Sequence, residues 1–168
     1  MQKPIVSILM GSDHDLPVMR EAGEVLASFE IPFEYSVTSA HRSPQRTADI
    51  ARTAEERGIK VMIVGAGMAA HLAGNVAAWT TLPVLGVPID ATLGGLDALL
   101  STVQMPPGVP VGTMGIGKAG ARNAAILAVR ILALSDAGLK ERLRLYKETM
   151  AREVEEKDRR LRDTSRSE

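Results

Sequence analysis

Three short stretches concentrate the residues able to do chemistry: "GSDHD" (11–15), "SAHRSP" (39–44) and "GAGMAAHLAG" (65–74). Together they hold all three histidines of the chain, His14, His41 and His71. Histidine exchanges a proton near neutral pH, and arginine grips phosphate bidentately, so His41 beside Arg42 pairs an acid–base group with an anion clamp. The same pair also fits a plain helix-entry turn with a packed histidine and a solvated arginine. In "GSDHD", small residues, backbone N–H groups and the Ser12 hydroxyl stand at a helix start, where an anion is stabilised. Asp15 could accept ribose hydroxyls; equally, Ser12, Asp13 or Asp15 could simply cap the helix. The glycines of the third stretch let a backbone approach a ligand closely. Gly65 and Gly67 are followed by Ala70 at the sixth position, so the dinucleotide fingerprint G-x-G-x-x-G is not met. No i,i+4 histidine pair supports a metal site.

The elements that must position these stretches follow from periodicity. Strands are expected at Pro4–Met10, Phe33–Val37, Val61–Val64, Val84–Val87 and Val109–Ile116. Helices are expected at Asp15–Phe29, from an N-cap at Ser43 with Pro44 to Arg57 with Gly58 as the stop, at Asn75–Thr80, Leu96–Val103 and Ala119–Leu134. Alternating strands and helices imply an α/β fold, a three-layer αβα sandwich with a flavodoxin-like parallel sheet. In such a sheet ligands bind beyond the carboxyl ends of the strands, and each of the three stretches sits at one of those ends. Leu139, Leu143, Tyr146, Met150 and Val154 form the apolar seam of a C-terminal amphipathic helix, which packs either on its own sheet or on a neighbouring subunit. The expectation is a single domain over 1–168, with a core of about 4–134 and a helical extension of about 136–162.

Composition narrows the function classes. The net charge is zero and aromatics make up 3%, against a nucleic-acid binder with a basic face or stacking platforms. There is no cysteine, which removes disulfides, thiolate nucleophiles and zinc–sulfur sites and fits a cytoplasmic protein. Met1 to Met10 reads as a first strand rather than a signal peptide, and no run approaches the length of a membrane span. Residues 1–135 carry 10 Lys/Arg and 11 Asp/Glu, and the last 33 residues carry the other 10 and 9. So charge-poor a body is expected to bury surface between subunits.

The ordered motifs "MGSDHD", "SAHRSP", "GAGMAAHLAG", "LPVLGVP", "QMPPGVPVGT" and "GIGKAGARNAAILA" resemble the class I N5-carboxyaminoimidazole ribonucleotide mutase (PurE) family over roughly residues 4–134. The resemblance implies carboxyl transfer from nitrogen to ring carbon in purine biosynthesis, without ATP, metal or organic cofactor. It implies a cytoplasmic homo-octamer with active sites at subunit contacts, and a transient link to the ATP-using synthetase that makes the substrate. His41 matches the catalytic histidine. Ser12, Asp15, Ser39 and Arg42 match nucleotide-contacting residues, while Gly67, Ala70, His71 and Leu72 match the loop that encloses the carboxyl group. Three positions depart from the family pattern: His14 replaces a serine, Met68 a glycine and Ala73 a proline. Two alternatives remain at this point. One is the class II enzyme, which carboxylates aminoimidazole ribonucleotide directly and usually has lysine after the histidine. The other is a flavodoxin-type flavin- or nucleotide-binding module, for which one tryptophan and two tyrosines supply few stacking rings.

Overall fold

A computed structural model describes residues 3–165; residues 1, 2 and 166–168 lie outside the described range. Five strands, β1 (Val6–Met10), β2 (Phe33–Val37), β3 (Val61–Gly67), β4 (Val84–Ile89) and β5 (Gly112–Thr113), pair in the order β2-β1-β3-β4-β5, all parallel. The helices are α1 (Leu16–Ser28), α2 (Pro44–Arg52), α3 (Leu72–Ala77), α4 (Leu96–Val103), α5 (Gly117–Leu132) and α6 (Ala137–Ser165). The flavodoxin-like order has one consequence for layering. The connection from β1 to β2 runs one way across the sheet, and every later connection runs the other way. Right-handed crossovers therefore put α1 on one face and α2, α3 and α4 on the opposite face. Packing agrees: α2 touches α3, and Glu21 of α1 pairs at 3.2 Å with both Lys118 and Arg122 of α5.

The chain divides into two compact units, the first ending at Ala128 and the second starting at Val129. In the first unit the apolar runs of β1, β4 and the first five residues of β3 are fully buried, as strands covered on both faces must be. Ile8, Leu9, Met62 and Ile63 have no exposed surface, and each such side chain contributes about 1.5–3 kcal/mol of burial. Ser7 is the polar exception in β1, and its hydroxyl donates to Glu34 Oε1 at 3.0 Å. In the second unit, Asp136 Oδ1 accepts from Leu139 N at 2.9 Å and caps α6. Arg144 pairs with Glu141 and Glu148, and Arg160 with Glu156, along that helix. Of its apolar seam, Leu139 is buried, Leu143 and Tyr146 are half-buried, and Met150 and Val154 are exposed. Among the described residues no helix is long and apolar enough to cross a membrane.

In the core, boundaries differ from the sequence reading by one or two residues in β1, α1, β4 and α5, and by more in four elements. Helix α2 stops at Arg52, and turns carry the chain to Gly58, whose φ of +95° ends the segment. Strand β3 runs three residues further than expected because its pairing with β4 continues to Gly67 opposite Ile89. Helix α3 starts at Leu72 rather than Asn75. Strand β5 shrinks to two residues; Pro110, with no N–H to donate, stands just before it.

Candidate active site

The order of the sheet reverses about β1, which lies between β2 and β3. That is the switch point at which open α/β sheets take ligands, and the loops following β1, β2 and β3 meet there. Backbone bonds join them at the base: Gly11 N donates to Gly65 O at 3.2 Å and Thr38 N to Met10 O at 3.0 Å.

The loop after β2 is tightly clamped. Ser43 sits at the N-cap of α2 with Pro44 behind it, as its sequence suggests, but its side chain makes no capping bond. Its hydroxyl turns back, accepting from Ser39 N at 3.0 Å and lying 3.2 Å from Ser39 O. Ser39 Oγ accepts from Arg42 N at 3.1 Å. Beneath them the buried hydroxyls of Thr38 and Thr47 bond at 2.8 Å. The result is a turn whose polar groups are occupied with one another, leaving the His41 and Arg42 side chains exposed. Arg42 Nη2 crosses to donate to Gly11 O at 3.4 Å, which brings the guanidinium to the first loop.

In that first loop the capping reading holds. Ser12 and Asp15 form a reciprocal capping box: His14 N donates to Ser12 Oγ at 3.3 Å, and Ser12 N donates to Asp15 Oδ2 at 3.1 Å. Asp15 is half-buried, and burial pushes its carboxyl above the usual aspartate range, against the pull of the Ser12 and Gly11 N–H groups. Asp13 is held below that range by the Ser12 hydroxyl and then by His14. The His14 ring is engaged within its own loop, with Nδ1 3.1 Å from Ser12 Oγ and 3.2 Å from Asp13 Oδ1.

The loop after β3 brings in the other imidazole. His41 Nε2 lies 2.8 Å from His71 Nδ1, with the rings at 77° and centroids 4.9 Å apart. His71 is the residue before α3, and its carbonyl accepts from Asn75 N at 2.9 Å. The turn leading to it is closed by Ala70 N donating to Gly67 O at 3.1 Å, with Met68 at φ +56°. That second position of a turn, at positive φ, suits glycine, so the methionine is strained there and its side chain points to solvent, 59% exposed. Gly67 lies against the loop after β4: a β-carbon added there would be 3.0 Å from Ile89 O and 3.2 Å from Ala91 Cβ.

The structure thus brings His41, Arg42, Ser39 and His71 into one group with the Gly11–Asp15 loop. Ala70 and Leu72 have buried side chains, so what they offer a ligand is backbone. Ala73, also buried, packs in the core cluster with Leu72 and Val76. Sequence reasoning passed over Ser43, Thr38 and Thr47 as the supports of the His41 turn. A threonine closing a strand, followed nine residues on by another facing inward from a helix, was the available signal. Among the described residues no three His, Asp or Glu side chains converge as a metal site would require.

The chain matches the family model described as AIR carboxylase over residues 5–153. It is 55% identical over 161 residues to a Pyrococcus horikoshii protein named N5-carboxyaminoimidazole ribonucleotide mutase, covering 95% of this chain and 90% of that one. It is 54% identical to the protein of that name from Thermotoga maritima, covering 94% and 92%. The crystal structure of Treponema denticola PurE superposes with a TM-score of 0.85 at 28% identity, over 94% of this chain and 98% of that one.

Proposed function

The chain belongs to the AIR carboxylase family, and on that premise we propose that it converts N5-carboxyaminoimidazole ribonucleotide to 4-carboxyaminoimidazole ribonucleotide in purine biosynthesis, with His41 as general acid/base. The observation that carries the assignment of roles is the contact of His41 with His71 on the same strand-end ledge as Arg42. Arg42 and Ser39 hold the phosphoribosyl end, and Ser12 and Asp15 hold the nucleotide. The Gly67–Leu72 segment encloses the carboxyl group, Gly67, Ala70 and Leu72 through their backbone.

The chemistry runs in two halves. The N–C bond of the substrate breaks, releasing carbon dioxide and leaving aminoimidazole ribonucleotide as the nitrogen gains a proton. The enamine-like ring carbon then attacks the trapped carbon dioxide, forming the C–C bond, and His41 removes the surplus ring proton to restore the aromatic ring. One proton is delivered and one removed, so His41 ends as it began. A closed, water-poor pocket keeps the carbon dioxide from escaping.

The assembly reading is a cytoplasmic homo-octamer, transiently linked to the synthetase that supplies the substrate. Exposed Leu93, Leu96, Leu100 and Val103 near and along α4, and Met150 and Val154 on α6, support burial against further copies. The test is a paired assay without ATP or added metal. One arm supplies N5-carboxyaminoimidazole ribonucleotide, the other aminoimidazole ribonucleotide with bicarbonate at physiological level. Product mainly in the first arm is expected. Product mainly in the second would make the protein a direct carboxylase, and silence in both would return it to a binding module.

A further inference from the structure

We infer that His14 is a substrate-binding residue that takes up a proton when the substrate's phosphate arrives, so that an imidazolium faces that phosphate beside Ser12. The inference rests on the reading of Ser12 and Arg42 as residues that hold the nucleotide. His14 Nδ1 lies 3.1 Å from Ser12 Oγ and 3.2 Å from Asp13 Oδ1. The Ser12 hydroxyl has one proton, and it donates that proton to Asp13 Oδ1 at 3.1 Å. Nδ1 is then the donor toward both Ser12 and Asp13, since neither has a proton left to offer it. The His14 side chain is 92% exposed, so Nε2 is the nitrogen that exchanges a proton with solvent.

Distance carries the argument. Arg42 Nη2 reaches Gly11 O at 3.4 Å, so a phosphate on that guanidinium stands against the Gly11–Ser12 backbone. A phosphate oxygen accepting from Ser12 Oγ would lie about 2.7 Å beyond it. That puts the oxygen within about 6 Å of His14 Nδ1, where an opposite charge favours the protonated ring. The hydroxyl turns from Asp13 to the ligand, and Ser12 Oγ still accepts from His14 N and from Nδ1–H. A phosphate monoester brings about 1.5–2 negative charges at neutral pH. The other charges about the ring are Asp13 and Asp15 in its own loop and Arg42 from the turn after β2. The first turn of α1, Leu16 to Met19, adds none. In the free protein the carboxylates favour the imidazolium and Arg42 opposes it. A bound phosphate joins the first side and neutralises the second, and the proton comes from the buffer.

The test is calorimetric binding of aminoimidazole ribonucleotide, without bicarbonate, in buffers of different ionisation enthalpy. The matching riboside, which lacks the phosphate, is the control. His14→Asn keeps an N–H donor without a charge, and His14→Lys keeps a charge that does not titrate near neutral pH. The side chain is exposed, so all three proteins should melt together. At about pH 6, below the ordinary imidazole range, His14→Asn should bind the ribonucleotide about two- to fivefold more weakly than the unmodified protein, the range of an exposed ion pair. At about pH 9, above that range, the two should bind alike. Near neutral pH the unmodified protein should take up a larger fraction of a proton on binding than His14→Asn does. His14→Lys should hold its affinity at both extremes, with the proton uptake of the Asn variant. The riboside should not distinguish the three proteins. Equal uptake by the unmodified and Asn proteins overturns the inference. So does a loss in His14→Asn that persists at the higher pH or extends to the riboside. Ribonucleotide that fails to bind the unmodified protein overturns the reading beneath, and the inference with it.

Discussion

His41 rides on a turn in which the amide, hydroxyl and carbonyl of Ser39 all meet partners in Ser43 or Arg42, above a buried pair of threonine hydroxyls. His71 follows a turn closed by Ala70 N and Gly67 O, with a methionine at positive φ. One imidazole is set by a cross-bonded polar cluster and the other by a strained backbone. The difference teaches that the two sides of the contact are held by unequal means: side-chain and backbone polar groups bonded to one another on the His41 side, and a turn carrying a positive φ on the His71 side.

The sharpest break of the comparison is at the clamped side. His41→Asn should lower kcat at least about 10²-fold, and up to about 10⁴-fold, with the melting temperature unchanged, as stopped-assay turnover and thermal melts would show. Next is the support beneath it. Thr47→Val leaves the buried Thr38 hydroxyl without its 2.8 Å partner and should cost about 1–2 kcal/mol in denaturant unfolding. On the strained side, Met68→Gly relieves the positive φ and should stabilise by about 1 kcal/mol, again by denaturant unfolding. The smallest effect belongs to the first loop. Burial raises the Asp15 pKa in the folded state, so its contribution to stability is full below the unfolded-state pKa and is lost as pH rises through the folded one. Asp15→Asn should therefore melt above the parent at pH 7, and the advantage should vanish as pH falls below the ordinary aspartate range.

The same contrast explains what could be read in the chain. Strand β2 and helix α4 fall on their expected limits, Phe33–Val37 and Leu96–Val103, because their runs begin and end on residues whose local preferences agree with the fold. Helix α3 starts at Leu72, three residues before the expected Asn75; the start was not legible because His71 precedes it without a side-chain cap. Strand β5 shortened because Val-rich spacing says nothing about the missing donor at Pro110. The loops holding the candidate residues were legible from strand ends alone. The His41–His71 contact was not, since it depends on β1 lying between β2 and β3 and on the reach of two side chains 30 positions apart.

That central place of β1 also governs assembly of the site in time. The 30 positions between the imidazoles form a closed loop in the finished protein, and closing a loop carries an entropic cost that grows only with the logarithm of its length. Here the closure is accomplished by the backbone ladders of β1 with β2 and β3, not by the histidines. The bonds of the His41 turn lie within residues 38–47, whereas the contact with His71 needs β3 in place beside β1. The pair forms only when β3 docks, so its formation marks completion of the central three strands.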